Sequence, residues 1–264
     1  MSTKDSLGDR MKENYENRYR IFLTRRTPVI IRLDGKAFHT FTRGMDKPFD
    51  DIMLISMVST AKNLCNTVMG CQIAYVQSDE ISLLLHDYKK LESQAWFDYN
   101  LQKICSVSAS IATSSFNQVF RYLVSTNSKT EEKRELLSKK FDKANFDARA
   151  FNIPESEVCN YFIWRQQDAI RNSVEAVGQA NFSQKELHGK SCKVIKEMLL
   201  ENKNLNWDSI LTRYQRGICV RKVETEDIIN GNKVLRSKWE ADFEIPIFSE
   251  NRNYTEELLR TVEG

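Results

Sequence analysis

A short acidic segment between two apolar runs is the feature that most restricts the fold of this chain. Residues 72–76 and residues 81–85 are rich in apolar side chains, and residues 78–80 between them read Ser-Asp-Glu. Apolar runs of this length on either side of a polar tip predict a β-hairpin with carboxylates at its turn. The sequence therefore predicts that acidic side chains lie at one edge of a sheet.

A second carboxylate lies at the end of another predicted strand. Residues 29–33 form a mainly apolar run that is followed by Asp34 and Gly35. If this strand is a neighbour of the hairpin, Asp34 and Asp79 lie at the same edge of the sheet, where two carboxylates would bind divalent cations. Gly35 favours such a site because a residue without a side chain leaves its carbonyl open to a cation. Either aspartate alone is better explained as an ordinary turn residue, and only the two together favour a metal site.

The order of the predicted elements indicates the fold class. They are a strand at 29–34, a helix from Asp50 to Gly70, strands at 72–76 and 81–85, a helix at about 96–123 and a strand at 145–153. This βαββαβ order predicts a ferredoxin-like α+β fold, an antiparallel sheet with both helices on one face. The same arrangement forms the palm of polymerases and cyclases, although a fold alone does not establish a function.

The second part of the chain is predicted to be a helical appendage. Helical patterns cover residues 155–177 and 183–202, and Asn230-Gly231 between two later β-prone runs predicts a C-terminal hairpin. We therefore expect two domains. Residues 1–153 form the palm catalytic core with an N-terminal helix, and residues 154–264 form the appendage and hairpin, packed on the palm. The charged residues 126–144 are expected to be an exposed helix or insertion.

Composition argues against several classes of protein. The 264 residues have a net charge of +3, so only local basic patches could bind nucleic acid. The 6 cysteines are scattered without a Cys-x-x-Cys pair, which argues against structural zinc. No apolar run approaches the roughly 20 residues of a membrane span. Residues 1–26 are polar, so we expect a cytoplasmic protein with no membrane contact.

Further candidate site residues surround the two aspartates. They are Phe38, His39, Lys47, Ser78, Glu80 and Lys103. The lysines could pair with triphosphate oxygens, Ser78 could donate to a phosphate, and the two rings could pack on a base. Glu80 could be a third metal ligand or could support the other ligands. Simpler interpretations exist, since surface lysines are usually only solvated and a loop phenylalanine usually belongs to the core. For Glu80, a hydrated turn residue explains the sequence as well as a functional role does.

Residues 161–173 permit two interpretations. The segment concentrates Arg165, Gln166, Asp168, Arg171 and Asn172 beside aromatic residues. Arginine near polar amides and an aromatic ring is suited to contact with phosphate or RNA. Buried salt bridges that tie the appendage to the palm explain the same composition equally well.

Four groups of residues together resemble one protein family. They are Arg32-Leu33-Asp34-Gly35-Lys36-x-Phe38-His39, Lys47-Pro48-x-x-Asp51, Gln77-Ser78-Asp79-Glu80 and Trp164-Arg165-Gln166-x-Asp168. In this order, over about residues 28–220, the chain resembles the tRNA-His guanylyltransferase superfamily, and specifically its guanylyltransferase-like 3′-to-5′ polymerases.

The resemblance implies a nucleotidyltransferase that adds nucleotides to the 5′ end of tRNA at a two-metal palm site. The implied ligands of two Mg²⁺ ions are Asp34, the Gly35 carbonyl and Asp79, with Glu80 at a further acidic position of the motif. The implied contacts with ATP, GTP or another nucleoside triphosphate are Ser78, Lys47 and Lys103, with Phe38 and His39 in the nucleotide-binding loop. The family also implies a homotetramer.

One position departs from the family pattern. Enzymes dedicated to tRNA-His have a His-Ile-Asn-Asn run after the Trp-Arg-Gln-x-Asp motif, whereas residues 170–173 here read Ile-Arg-Asn-Ser. Ile170 at the histidine position argues against addition dedicated to tRNA-His. It favours template-dependent restoration of missing 5′ nucleotides in a truncated tRNA, with ATP activation of a 5′-monophosphate end.

Two alternatives from other classes stay open. A nucleotidyl cyclase-like enzyme shares the palm and the paired carboxylates, but a diguanylate cyclase hairpin would read Gly-Gly-[Asp/Glu]-Glu-Phe, and residues 77–81 do not. A non-catalytic tRNA-binding module would use the same basic patches, but pure binding would not need both aspartates.

Overall fold

The structure, a computed structural model, describes residues 6–229 and 232–260, and an antiparallel six-stranded sheet organises it. The strands are β1 (Val29–Gly35), β2 (Cys71–Gln77), β3 (Glu80–Leu85), β4 (Phe146–Asn152), β5 (Ile218–Ile229) and β6 (Asn232–Asp242). Their order across the sheet is β4-β1-β3-β2-β5-β6.

Helices of very different length connect and cover these strands. The α-helices are α1 (Ser6–Met11), α2 (Phe38–Phe41), α3 (Asp51–Thr67), α4 (Leu101–Asn127), α5 (Glu131–Ser138), α6 (Glu155–Asn181), α7 (Gln184–Leu187), α8 (Cys192–Lys203), α9 (Thr212–Gln215) and α10 (Asn253–Glu256). A π-helical turn covers Lys12–Glu16, and 3₁₀ turns cover Asn17–Tyr19, Trp96–Tyr99, Trp207–Ser209 and Glu257–Leu259. No helix in the described part of the chain is both long and apolar enough to cross a bilayer.

The first four strands and the two helices between them have the predicted topology. The chain runs β1-α3-β2-β3-α4-β4, and β1 lies between β3 and β4. Asp50 begins α3 because its side chain accepts hydrogen bonds from the backbone N–H groups of Ile52 and Met53. Asn100 caps α4 in the same way, accepting from the N–H of Lys103. The predicted ferredoxin-like α+β palm is confirmed.

Helices cover both faces of the sheet, so alternate residues of one strand enter two different cores. Val29, Ile31 and Leu33 belong to the larger core, which α3 and α4 complete. Ile30 belongs to a second core with Val158 and other side chains of α6. Because side chains alternate along a strand, the even-numbered positions of β1 and β3 face α6. Asp34 and Glu80 are therefore on the α6 side of the sheet.

The C-terminal hairpin extends the palm sheet. Residues Ile218 to Arg221 of β5 pair with Val76 to Ile73 of β2, and β6 forms the edge. The predicted turn at Asn230-Gly231 lies outside the described residues. The division predicted at residue 153 assigns β5 and β6 to the appendage, whereas here they are strands of the palm sheet.

Candidate active site

The end of β1 and the turn between β2 and β3 lie side by side. Asp34 is the register partner of Glu80 on β3, and the Gly35 N–H donates a 3.0 Å hydrogen bond to the Asp79 carbonyl. Ser78 makes this turn tight, because its backbone is in the left-handed region with φ of 49°. The strand pairing therefore brings Asp34 and Asp79 to one edge of the sheet, as the sequence predicts.

The two carboxylates have no balancing cation in the part of the chain that the structure describes. Among residues 6–229 and 232–260, neither Asp34 nor Asp79 has a basic side chain within ion-pair distance. Burial, followed by the nearby charges of Asp34 and Glu80, raises the pKa of Asp79 above its ordinary value, although its own backbone N–H and Ser78 oppose this. A bound cation would relieve the repulsion between the two carboxylates.

A cavity of about 650 Å³ opens over these carboxylates. Its lining includes most of the predicted site residues, namely Asp34, Gly35, Phe38, His39, Lys47, Ser78 and Asp79. The loop at residues 42–50 forms one side, and residues of α6 and α9 form the wall across from the sheet. A space of this size is typical of small-ligand sites.

Gly35 and Phe38 depend on each other sterically. A Cβ atom at Gly35 would lie 2.4 Å from the Phe38 ring, which is closer than non-bonded carbons can approach. Phe38 is buried and packs against Phe41, Phe116 and Phe146. Phe38 is thus a core residue that also borders the cavity, whereas His39 beside it is exposed.

Glu80 and Lys103 are the two predicted site residues outside the cavity lining. Glu80 is buried and accepts hydrogen bonds from Arg165 of α6. Lys103 lies in the first turn of α4, with its ammonium nitrogen 5.7 Å from the centre of the Phe97 ring. At the start of α4, the backbone of residues 99–101 is hydrogen-bonded to residues 21–23, which precede β1. Asp34 lies near the opposite end of β1. The structure therefore does not bring Lys103 to the carboxylates within one chain.

The segment at residues 161–173 is mainly structural. Arg165 is buried against Glu80, and the buried Gln166 amide donates to the Pro246 carbonyl and accepts from the Phe248 N–H. Ile170 packs against a small apolar cluster that includes Val174 and Trp207, and it is not among the residues that line the cavity. For Arg165 the salt-bridge interpretation is thus correct, and the polar residues of this segment that line the cavity are Asn172 and Ser173.

Arg213 and Tyr214 also line the cavity, and the sequence did not indicate them. The Tyr214 ring stacks on Phe49 with 4.6 Å between the ring centres, and its hydroxyl bonds to Asp51. No acidic side chain in the described part of the chain pairs with Arg213. Their local sequence resembles any short polar helix, so only the tertiary fold identifies them.

The residues at the cavity floor fit magnesium. No cluster of three or more His, Cys, Asp and Glu side chains suited to a metal occurs among the residues that the structure describes. Mg²⁺ does not need one, because it commonly uses one or two carboxylates together with water and substrate phosphates. Asp34, Asp79 and the Gly35 carbonyl offer a suitable oxygen set, and the unbalanced charge of the carboxylates favours a cation.

A palm sheet with paired carboxylates under a cavity of about 650 Å³ is typical of palm-fold enzymes that act on nucleotides. The model of the family described as Thg1, tRNAHis guanylyltransferase, matches residues 8–154. The chain belongs to this family, and it is a nucleotidyltransferase. The family and enzyme class predicted from the sequence are confirmed.

One relative and two solved structures match nearly the whole chain. An uncharacterised protein of Acanthamoeba polyphaga mimivirus is 29% identical over 270 residues, covering 97% of this chain and 88% of the relative. A bacterial tRNA(His) guanylyltransferase (Thg1)-like protein solved in complex with ATP is 45% identical, with a TM-score of 0.83 and coverage of 97% of this chain and 99% of that chain. A structure of a protein of the same description in complex with GTP is 44% identical, has a TM-score of 0.78 and has the same coverage.

Proposed function

We propose that this chain adds nucleotides in the 3′-to-5′ direction to the 5′ end of truncated tRNA, with the opposite strand as template. The observation that carries the proposal is the pair Asp34 and Asp79 under a cavity that both palm and appendage line. Family membership supplies the reaction type, and the relatives solved with ATP and with GTP support nucleoside triphosphates as substrates.

The residues of the cavity suit the parts of this reaction. Asp34, Asp79 and the Gly35 carbonyl would hold Mg²⁺, which when bound lowers the pKa of an attacking hydroxyl and offsets phosphate charge. The ammonium of Lys47 and the hydroxyl of Ser78 bind the triphosphate. These groups hold the nucleotide so that its 3′-hydroxyl faces the 5′ phosphate of the tRNA.

The chemistry is an in-line displacement at the 5′ phosphate. ATP first adenylylates a 5′-monophosphate end, which releases pyrophosphate. The 3′-hydroxyl of the incoming nucleotide then attacks the activated phosphorus, so a phosphodiester bond forms while the bond to AMP breaks. An end that is already a triphosphate releases pyrophosphate instead. Orientation and electrostatic stabilisation account for most of the catalysis in such transfers.

Base pairing selects the nucleotide in this proposal. Ile170 packs in an apolar cluster and does not border the cavity, which supports a substrate range wider than tRNA-His. The net charge of +3 suits a protein whose RNA contacts come from patches on several subunits. A homotetramer and a cytoplasmic location stay predictions of the same proposal.

A primer-extension assay tests the proposal against both alternatives. The protein is incubated with Mg²⁺, labelled nucleoside triphosphates and a 5′-truncated tRNA, beside Asp79→Asn and the exposed control Asp142→Asn. We expect extension by the unaltered protein and the control but not by Asp79→Asn. Cyclic nucleotide formed without RNA would favour the cyclase alternative, and RNA binding without extension across several tRNAs would favour the binding module.

A further inference from the structure

The charged helix α5 contacts the loop that carries Lys47. Lys133 of α5 donates a hydrogen bond to the Asp46 carboxylate, and its ammonium nitrogen is 3.4 Å from Oδ2 of Asp50. Only 18% of the Lys133 side chain is exposed, whereas Lys129, which lies 3.8 Å from Asp46, is 84% exposed. Lys133 is therefore largely buried and held by two acidic partners, unlike an ordinary surface lysine.

Asp50 connects this ion pair to the backbone of the loop. Its Oδ1 accepts the N–H groups that begin α3, while its Oδ2 accepts the N–H of Asp46 at 2.9 Å. The side chain thus closes the loop from residue 46 to residue 50, with Lys47 and Pro48 inside the closed segment. Asp46 and Asp50 bear like charges at close range, so a cation between them stabilises this closed form.

The other end of the loop also packs on α5. The backbone of Gly44 is left-handed, with φ of 81°, and a Cβ atom there would lie 2.7 Å from a methyl carbon of Leu136. Leu137, the next residue, is fully buried in the larger core and anchors the helix. Contacts with α5 therefore brace the loop at both residue 44 and residues 46–50.

We propose that Lys133 is a positioning residue that holds the loop at residues 44–50 so that Lys47 meets the triphosphate of the incoming nucleotide. This inference rests on the proposed function, and it gives the charged insertion a role in substrate binding. The Lys133 hydrogen bond, more than any other contact, lowers the pKa of Asp46 below its ordinary value, which agrees with a direct interaction between the two charges. Small displacements of positioning groups are costly in catalysis.

Kinetics of three variants test this inference. Lys133→Met keeps the aliphatic stem but removes the charge, and we expect a rise of about 5- to 10-fold in the KM for the nucleotide with a smaller change in kcat. Lys133→Arg restores the cation and should recover most of the binding. Lys139→Met is the control, because Lys139 also forms an ion pair on α5, with Glu135, but its side chain is 68% exposed. It should behave like the unaltered protein.

A readout that needs no activity separates this inference from the proposed function. Amide hydrogen exchange in residues 44–50 should be faster in Lys133→Met and unchanged in Lys139→Met. If exchange in Lys133→Met is unchanged, the inference is wrong and the proposed function is unaffected. The same holds if exchange is faster but the KM of the active variant for the nucleotide is unchanged. If the unaltered protein extends no tRNA, the proposed function fails. In that case titration with ATP decides: a Kd raised about 5-fold in Lys133→Met supports the inference, and an equal Kd overturns it.

A double variant shows whether Lys133 acts through Asp46. If it does, Asp46→Asn combined with Lys133→Met should raise the KM no further than the more severe of the two single changes. If the two changes raise the KM by fully additive amounts, Lys133 does not act through Asp46. Thermal unfolding of each variant confirms that the compared proteins are folded.

Discussion

Glu80 and Arg165 form a buried, two-point ion pair that joins the carboxylate turn to helix α6. Arg165 donates from Nε to one Glu80 oxygen and from Nη2 to the other, both at 2.8 Å. Only 9% of the Glu80 side chain and 7% of the Arg165 side chain are exposed. Nη2 also donates to Asp168 at 2.8 Å. The appendage is thereby fixed to the residue that directly follows Asp79.

Removing one partner of this pair should strongly destabilise the protein. Arg165→Met leaves the Glu80 charge buried without its partner, and we expect a loss of roughly 3–5 kcal/mol in the free energy of unfolding. The double variant with Glu80→Gln should recover part of this loss because it removes the unpaired charge. Urea denaturation measures both. Arg171→Met is the control, since the Arg171 side chain is 59% exposed and its removal should cost little.

The same ion pair separates the expected role of Glu80 from that of Asp79. Asp79→Asn should lower kcat by about 100-fold or more, because the carboxylate lies at the site proposed for the metal. Glu80→Gln should reduce stability more than rate, and should lower kcat less than Asp79→Asn does, because Glu80 pairs with Arg165 and does not line the cavity. Steady-state extension of a truncated tRNA measures both. Equal losses in the two variants would support a direct role of Glu80 in metal binding.

The raised pKa of Asp79 predicts that its ionised carboxylate destabilises the folded protein when no metal is bound. Burial, followed by the charge of Asp34, raises the pKa in the folded state above the unfolded value. The folded state therefore binds this proton more tightly, and stability is lost as the pH rises through the two values. At neutral pH, without divalent cations, Asp79→Asn should raise the melting temperature.

Adding Mg²⁺ should give the unaltered protein a higher melting temperature than Asp79→Asn. A cation bound only by the folded state should raise the melting temperature of the unaltered protein and leave that of Asp79→Asn unchanged. Differential scanning calorimetry with and without a chelator gives both values. A variant less stable than the unaltered protein without metal would contradict the electrostatic argument.

The sequence was sufficient to predict the positions of those site residues that strand pairing brings together. Apolar runs gave the order of the elements, and the ferredoxin-like topology then places β1 beside β3. The neighbourhood of Asp34 and Asp79 follows from that register. The sheet continues into β5, but the hairpin pattern alone does not say which edge the hairpin joins.

Contacts between distant segments could not be predicted from the sequence. Arg165 and Glu80 are 85 positions apart, and the composition of residues 161–173 suits either a salt bridge or an RNA contact. Lys133 is 87 positions from Asp46 and belongs to a charged segment that resembles any solvated helix. Arg213 reaches the cavity only because α6 and α9 pack across it. Such pairs depend on tertiary packing, which no local periodicity encodes.

Lys47 and Lys103 should differ when each is replaced by alanine. Lys47 lines the cavity, whereas Lys103 is in the first turn of α4, away from it. Lys47→Ala should raise the KM for the nucleotide about 10-fold, as expected for the loss of a charged contact to phosphate, and Lys103→Ala should leave it unchanged. Titration of extension rate against nucleotide concentration measures both. A raised KM in Lys103→Ala would instead indicate that a neighbouring subunit supplies Lys103 to the cavity, since Lys103 does not reach it within its own chain.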